Sequence, residues 1–529
     1  MPLSRKEFLK LAGTITVAAA VNTACSNDDQ FDGSDFPADG GGGDTGDTAG
    51  EVVPSEAPIP PAFQARLPVP PVLSPTRTDA TTDYYEITQR TAQAEILPGL
   101  QTTVWGYNGI FPGPTIEARS GRKVVVRQRN ELSLPIAVHL HGGVTPPDSD
   151  GYPTDLVLPA DGSFTAADVV APDPTLSQGD KEYVYPLNQR AMTLWYHDHR
   201  MDFTGPQIYY GLAGFFILRD DEEDALPLPK GEREIPLMIA DRSFNADGSF
   251  RYPALDPSLR GEHGVQGQFM TGVLGDVILV NGAPWPVLEV SNTRYRLRML
   301  NASNTREYDL RLESDRGEGS FVQVGSDGGL LAGPVTHRNI KMAPAERFDV
   351  VVDFSQFPVG SQVVLRNARS SGRTAEVMRF DVVREEPDDS SVPDTLSTTL
   401  DLPDPAQAVA TRRFDFFQLG EGDWSINGQL FDPDTILARP ARGTTEIWEF
   451  SSDINHPVHV HLGHFRIFER GDTGDPRPWD VGLKDTVQLD PNGWARVAIR
   501  FTEFTGKYIL HCHNLEHEDM GMMGNFEVT

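Results

Sequence analysis

Hydrophobic and polar residues alternate over short stretches along most of this chain, and Pro and Gly punctuate them. Residues 124–127 and 137–141 are β-prone runs, while Phe111-Pro112-Gly113-Pro114 and Gly142-Gly143 are turn signals. From about residue 83 onward this pattern predicts many short strands, and no long amphipathic helix is evident. Strands of this length between turns imply sandwiches or barrels rather than a helical or α/β fold.

Two polar, Pro-rich breaks divide the strand-rich body, at residues 220–229 and from about 384 to 405. With 529 residues the chain exceeds what one core can organise. The breaks predict bodies at 76–222, 228–385 and 406–529. Ahead of them, residues 26–75 are rich in Gly, Asp and Pro and read as a disordered tether. Residues 1–25 read as an export signal: Arg5, Lys6 and Lys10 precede the apolar run 11–21, which is too short to cross a bilayer. Ser4-Arg5-Lys6 resembles a twin-arginine signal with Lys at the second position. Thr23-Ala24-Cys25-Ser26 resembles a lipoprotein processing site, so a lipid anchor at Cys25 and a periplasmic or cell-envelope location are expected, with plain secretion the alternative.

A formal net charge of −31 argues against nucleic-acid or anionic-membrane partners. Only two cysteines are present, Cys25 and Cys512, so no disulfide scaffold holds the fold.

The histidines change the picture. Four His-x-His pairs occur: His139-Leu140-His141, His197-Asp198-His199, His459-Val460-His461 and His511-Cys512-His513. With 13 histidines in 529 residues, chance supplies roughly 0.3 such pairs. On a strand, residues i and i+2 share a face, so each pair can grip one metal centre. Cys512 must point the other way and can reach a second centre. Cys512, His517, a third histidine (His456 is the best candidate) and an axial Met522 match the ligand set of a blue copper site, with Met520 and Met523 as competing axial assignments. The eight paired histidines suit three copper ions held close together. Zinc fits poorly, because a structural zinc site closes with four ligands. His263, His337 and His464 belong to no pair and read as ordinary polar residues.

These motifs, together with Leu194-Trp195-Tyr196 ahead of His197, His456-Pro457-Val458 ahead of His459, and Asn514-Leu515-Glu516-His517-Glu518-Asp519-Met520-Gly521-Met522, resemble those of three-domain multicopper oxidases. The similarity is greatest to the bacterial spore-coat laccase and bilirubin oxidase branch, over roughly residues 80–529. Weaker similarity lies in Ser326-Asp327-Gly328-Gly329 and in residues 343–349. The resemblance implies an all-β chain of three tandem cupredoxin-like Greek-key β-sandwich domains carrying four coppers. A type 1 ion would sit on His456, Cys512, His517 and Met522, a type 2 ion on His139 and His459, and a type 3 pair on His141, His197, His199, His461, His511 and His513. Glu518 and Asp150 would deliver protons, and the middle domain would act mainly as a spacer. The implied partners are dioxygen and a small phenolic, aminophenolic or bilin-like donor, oxidised through an exposed edge of His456 or His517. The alternative is a metallo-oxidase acting on Cu(I), Fe(II) or Mn(II). A copper-free envelope protein and a nitrite reductase fit the intact ligand set less well.

Overall fold

The computed structural model describes residues 50–529 except 170, 255–265, 421–422 and 472–473. The expected export signal with Cys25, residues 26–49 of the expected tether, and His263 lie outside the described residues.

The sheets follow one another in pairs along the chain. Strands Arg77–Thr78, Thr82–Ala94, Thr102–Tyr107, Lys123–Asn130 and Asp180–Tyr185 form one sheet, and Gly113–Arg119, Val138–His141, Met192–Asp198 and Ala213–Arg219 form another. Ile87, Val124 and Val126 of the first meet Ile116, Leu140, Leu194 and Phe216 of the second in one core. This explains the alternation in residues 123–130, where every second side chain is buried along much of the strand. A seven-stranded and a six-stranded sheet then occupy residues 234–384, and two five-stranded sheets occupy 408–528. In the last pair Trp448 and Phe450 pack against Val458, Leu510 and Phe526. Neighbouring strands are often distant in sequence and parallel, as Thr82–Ala94 is with Lys123–Asn130, which requires the long return connections of Greek-key architectures. Helices are few and short; among the described residues the longest α-helix is Thr204–Tyr210.

The expected tether needs correction from residue 50 onward. Glu51–Val53 pairs in parallel with Val273–Gly275, Arg66 bridges Val287, and Val72 bridges Thr115. Val53, Ala57 and Leu67 are buried in the same core as the middle sheets. The Pro-rich composition here serves an extended segment laid along sheet edges, where a missing N–H is tolerated. Apolar residues between the prolines anchor it.

Candidate metal centre

Strand pairing sets the faces of the metal centre. His141 lies opposite Trp195 and His139 opposite His197. In the last sheet pair His459 lies opposite His511, and Val458 opposite Cys512. Cross-strand partners share a face, so His459, His461 and His511 project to one side while His456 and Cys512 project to the other.

All eight paired histidines are buried, and rings from opposite ends of the chain interleave. His139 stacks on His461 with centroids 3.8 Å apart, and His141 stacks on His459 at 3.7 Å. His511 Nε2 lies 3.3 Å from Nε2 of both His199 and His461, and His197 Nε2 is 3.4 Å from His141 Nδ1.

These residues fit a metal cluster. His139 Nδ1 faces the Asp150 carbonyl at 2.6 Å, and His459 Nδ1 faces that of Asp485 at 2.9 Å. Each contact places the ring proton on Nδ1 and leaves Nε2 a bare lone pair. Both Nε2 atoms are buried without a hydrogen-bond partner, as are both ring nitrogens of His513. Burial, with the neighbouring imidazoles second, holds His139 and His461 well below the usual histidine range, so both stay neutral. Converging neutral imidazoles with no polar partner are costly for a protein unless a cation satisfies them.

The two acids named from sequence stand behind these rings. Asp150 Oδ2 lies 2.7 Å from His461 Nδ1, and burial pushes the Asp150 carboxyl up to about 8. Glu518 Oε2 is 3.0 Å from His511 Nδ1 and its Oε1 3.4 Å from His199 Nδ1. Burial would raise Glu518, but the imidazoles of His199 and His511 outweigh it and hold the group near 2.

Sequence reasoning missed Asp485, whose Oδ1 is 3.2 Å from His141 Nε2. Its two oxygens are taken by Arg347, at 2.6 and 2.5 Å, so this carboxylate orients rings rather than offering itself as a ligand. Nothing in the local spacing around Asp485 marks it. His464, read as ordinary, points Nε2 at Asp485 Oδ2 from 3.7 Å. His337 bonds Gln323 in the middle sheets, away from the cluster.

On the opposite face Cys512 Sγ lies 3.4 Å from His456 Nδ1 and 3.6 Å from His517 Nδ1, and the two nitrogens are 3.0 Å apart. Burial drives the Cys512 thiol well above its usual range, so the thiolate needs a cation beside it. The Met522 carbonyl accepts from Cys512 N at 3.1 Å, and both side chains belong to one buried cluster. Met523 lies opposite His511 and packs with Ile509, on the other face. Met520 caps the helix Leu515–Asp519. The expected exposed histidine edge is absent: His456 and His517 are both 0% exposed. Trp424 covers His517 face-on, Asn514 Nδ2 lies 3.2 Å from His517 Nε2, and Asp453 Oδ1 lies 2.9 Å from His456 Nε2.

Residues 88–223 and 392–529 each match a family model described as Multicopper oxidase. A laccase of Bacillus subtilis (strain 168) is 35% identical over 524 residues, spanning 88% of this chain and 98% of that protein. The chain belongs to the multicopper oxidase family. A bilirubin oxidase of Albifimbria verrucaria is likewise 35% identical, across 89% of this chain and 82% of its own. The crystal structure of a laccase from Pediococcus acidilactici Pa5930 superposes with a TM-score of 0.75 at 31% identity, covering 89% of this chain and 95% of that one. As a multicopper oxidase, the protein is a copper-dependent oxidoreductase with an all-β, cupredoxin-like fold, and its buried histidine clusters are the fitting place for the metal.

Proposed function

We propose that this multicopper oxidase is a laccase-type enzyme holding four coppers. His456, Cys512 and His517 would hold one, with Met522 as a fourth ligand. His139 and His459 hold the second. His141, His197, His199, His461, His511 and His513 hold a pair. Copper at these positions supplies one-electron redox chemistry, by which four electrons from small donors and four protons convert dioxygen to two waters. The chain's residues do the rest. Cys512 links the donor-side ligands covalently to His511 and His513, whose rings project through the opposite face of the same strand. Buried imidazoles exclude water, while Glu518 Oε2 and Asp150 Oδ2 hold or pass protons at the outer nitrogens of His511 and His461. The shared strand, sulfur on one face and imidazoles on the other, carries this reading. Met522 is preferred over Met523 because Met523 sits on the His511 face.

The donor class is phenolic, aminophenolic or bilin-like, in keeping with the laccase and bilirubin oxidase names of the relatives. A second reading, oxidation of a soft metal ion such as Cu(I), is favoured by one observation. Gln418 ties the Met270 thioether (3.8 Å) to the half-buried Asp453 carboxylate (2.8 Å), just outside His456. Oxygen uptake by copper-loaded protein decides between them: rates with phenols above those with cuprous ion support the laccase reading, and the reverse supports the second. Metal content far below four per chain, or a colourless loaded protein, overturns the copper assignment. We also propose export, on Arg5, Lys6, Lys10 and the apolar run 11–21, with lipidation at Cys25. Mass spectrometry of the mature N-terminus tests both.

A further inference from the structure

Resting on that copper assignment, we infer that Arg347, from the middle segment, is a positioning residue for the histidine cluster, acting through Asp485. The middle segment then does more than space its neighbours.

The guanidinium is fully buried and all its N–H groups are engaged. Nε donates to Thr193 O at 3.0 Å, Nη1 to Ala345 O at 3.1 Å and Asp485 Oδ1 at 2.6 Å, and Nη2 to Asp327 O at 3.3 Å and Asp485 Oδ2 at 2.5 Å. These acceptors come from four separate stretches of chain. Thr193 lies on the strand that carries His197. Asp485 presents its carbonyl to His459 and its carboxylate to His141. One planar fork therefore fixes the strand of one ligand and the hydrogen-bond partner of two others.

Two further observations point the same way. Gly142 follows His141 with φ +83°, and a Cβ there would lie 2.7 Å from Arg347 Nη2 and 2.9 Å from Asp485 Oδ2. The glycine leaves room for this pair against the ligand strand. Beside it, Lys484 Nζ lies 3.1 Å from Asp327 Oδ2 and 2.9 Å from Glu346 Oε1, and Asp327 Oδ1 accepts from Arg347 N at 2.8 Å. Ser326-Asp327-Gly328-Gly329 and residues 343–349, singled out in the sequence without a role, thus converge on Lys484-Asp485. Acid and base are paired crosswise, so Asp485 is held on both sides.

Lys at 347 retains the charge but cannot span both carboxylate oxygens and three carbonyls. In the full, copper-loaded chain, Arg347→Lys should keep the blue absorption of the Cys512 site while the non-blue cupric EPR signal shifts or disappears, with kcat lowered about 10–100-fold. Asp485→Asn, which keeps the side-chain shape, should move the same signals in the same direction. An EPR signal and kcat unchanged in both variants would overturn the inference. So would a proportional loss of blue and non-blue signals together, the mark of a general folding defect. A parent protein without blue absorption would instead sink the copper assignment itself.

Discussion

The Trp424 indole lies face-on against the His517 imidazole, ring centroids 4.0 Å apart, and donates its Nε1–H to the Met270 carbonyl at 2.8 Å. It seals the donor-side ligands from water, and the apolar shell around such a site sets its potential. Trp424→Ala should cost about 3–5 kcal/mol of stability and, by wetting His517, lower the reduction potential of the mononuclear centre. Denaturant unfolding and a potentiometric titration of the blue band measure both. An unchanged potential would show that Trp424 only fills space.

Cys512 is the one ligand of its face whose two chain neighbours, His511 and His513, are both ligands of the histidine cluster. Cys512→Ser should remove the blue absorption and cut turnover with organic donors by more than about 100-fold, since loss of a ligand exceeds the usual cost of disturbing its supports. Steady-state oxygen uptake on protein that still binds metal at the histidine cluster is the relevant measurement. Persistent turnover would mean that electrons reach the cluster by another path.

Glu518→Gln keeps the shape of a side chain whose Oε1 accepts from Thr204 Oγ1 at 2.7 Å, but removes its ability to carry a proton. Blue absorption should survive while kcat falls about 10²–10⁴-fold, the usual worth of a positioned acid–base group. A variant that turns over at the parent rate would reduce Glu518 to an orienting role.

Acid stability follows from a second buried cluster. Glu223 Oε1 meets Arg296 Nη1 at 2.6 Å and Arg219 Nη1 at 3.1 Å, and also Arg298. Burial alone would raise this carboxyl, but Arg298, Arg296 and Arg219 outweigh it and hold it at about 2. Because the folded value lies below the ordinary one near 4.5, the stabilisation is full above 4.5 and is lost as pH falls toward 2. Glu223→Gln should flatten that part of the stability–pH curve and cost about 3–5 kcal/mol at neutral pH by leaving buried arginines short of a partner. Urea melts at stepped pH test this; parallel curves for parent and variant would refute it.

The ligands were legible in the sequence because a strand repeats every two residues. His139 and His141, or His511 and His513, had to share a face, and Cys512 had to leave it. What surrounds them was not legible. Arg347 meets Asp485 across 138 positions, and Trp424 reaches His517, in the helix Leu515–Asp519, from a distant strand, so no local period announces either contact. The exposed histidine edge failed in part for the same reason: Trp424 covers His517 from a distant strand, although Asn514 and Asp453 each stand only three residues from the histidine they meet. The tether over 50–75 failed because average composition concealed the anchoring by Val53, Ala57 and Leu67.

His139 stacks on His461, and His141 on His459, so neither half of the cluster exists without the other. A polypeptide still being made owns six of the eight imidazoles, and neither Cys512 nor His517, until the strand Gly506–Cys512 and the residues after it have arrived. The full ligand set is therefore completed only at the end of the chain, and a chain truncated before its last two dozen residues would be born with neither metal centre whole.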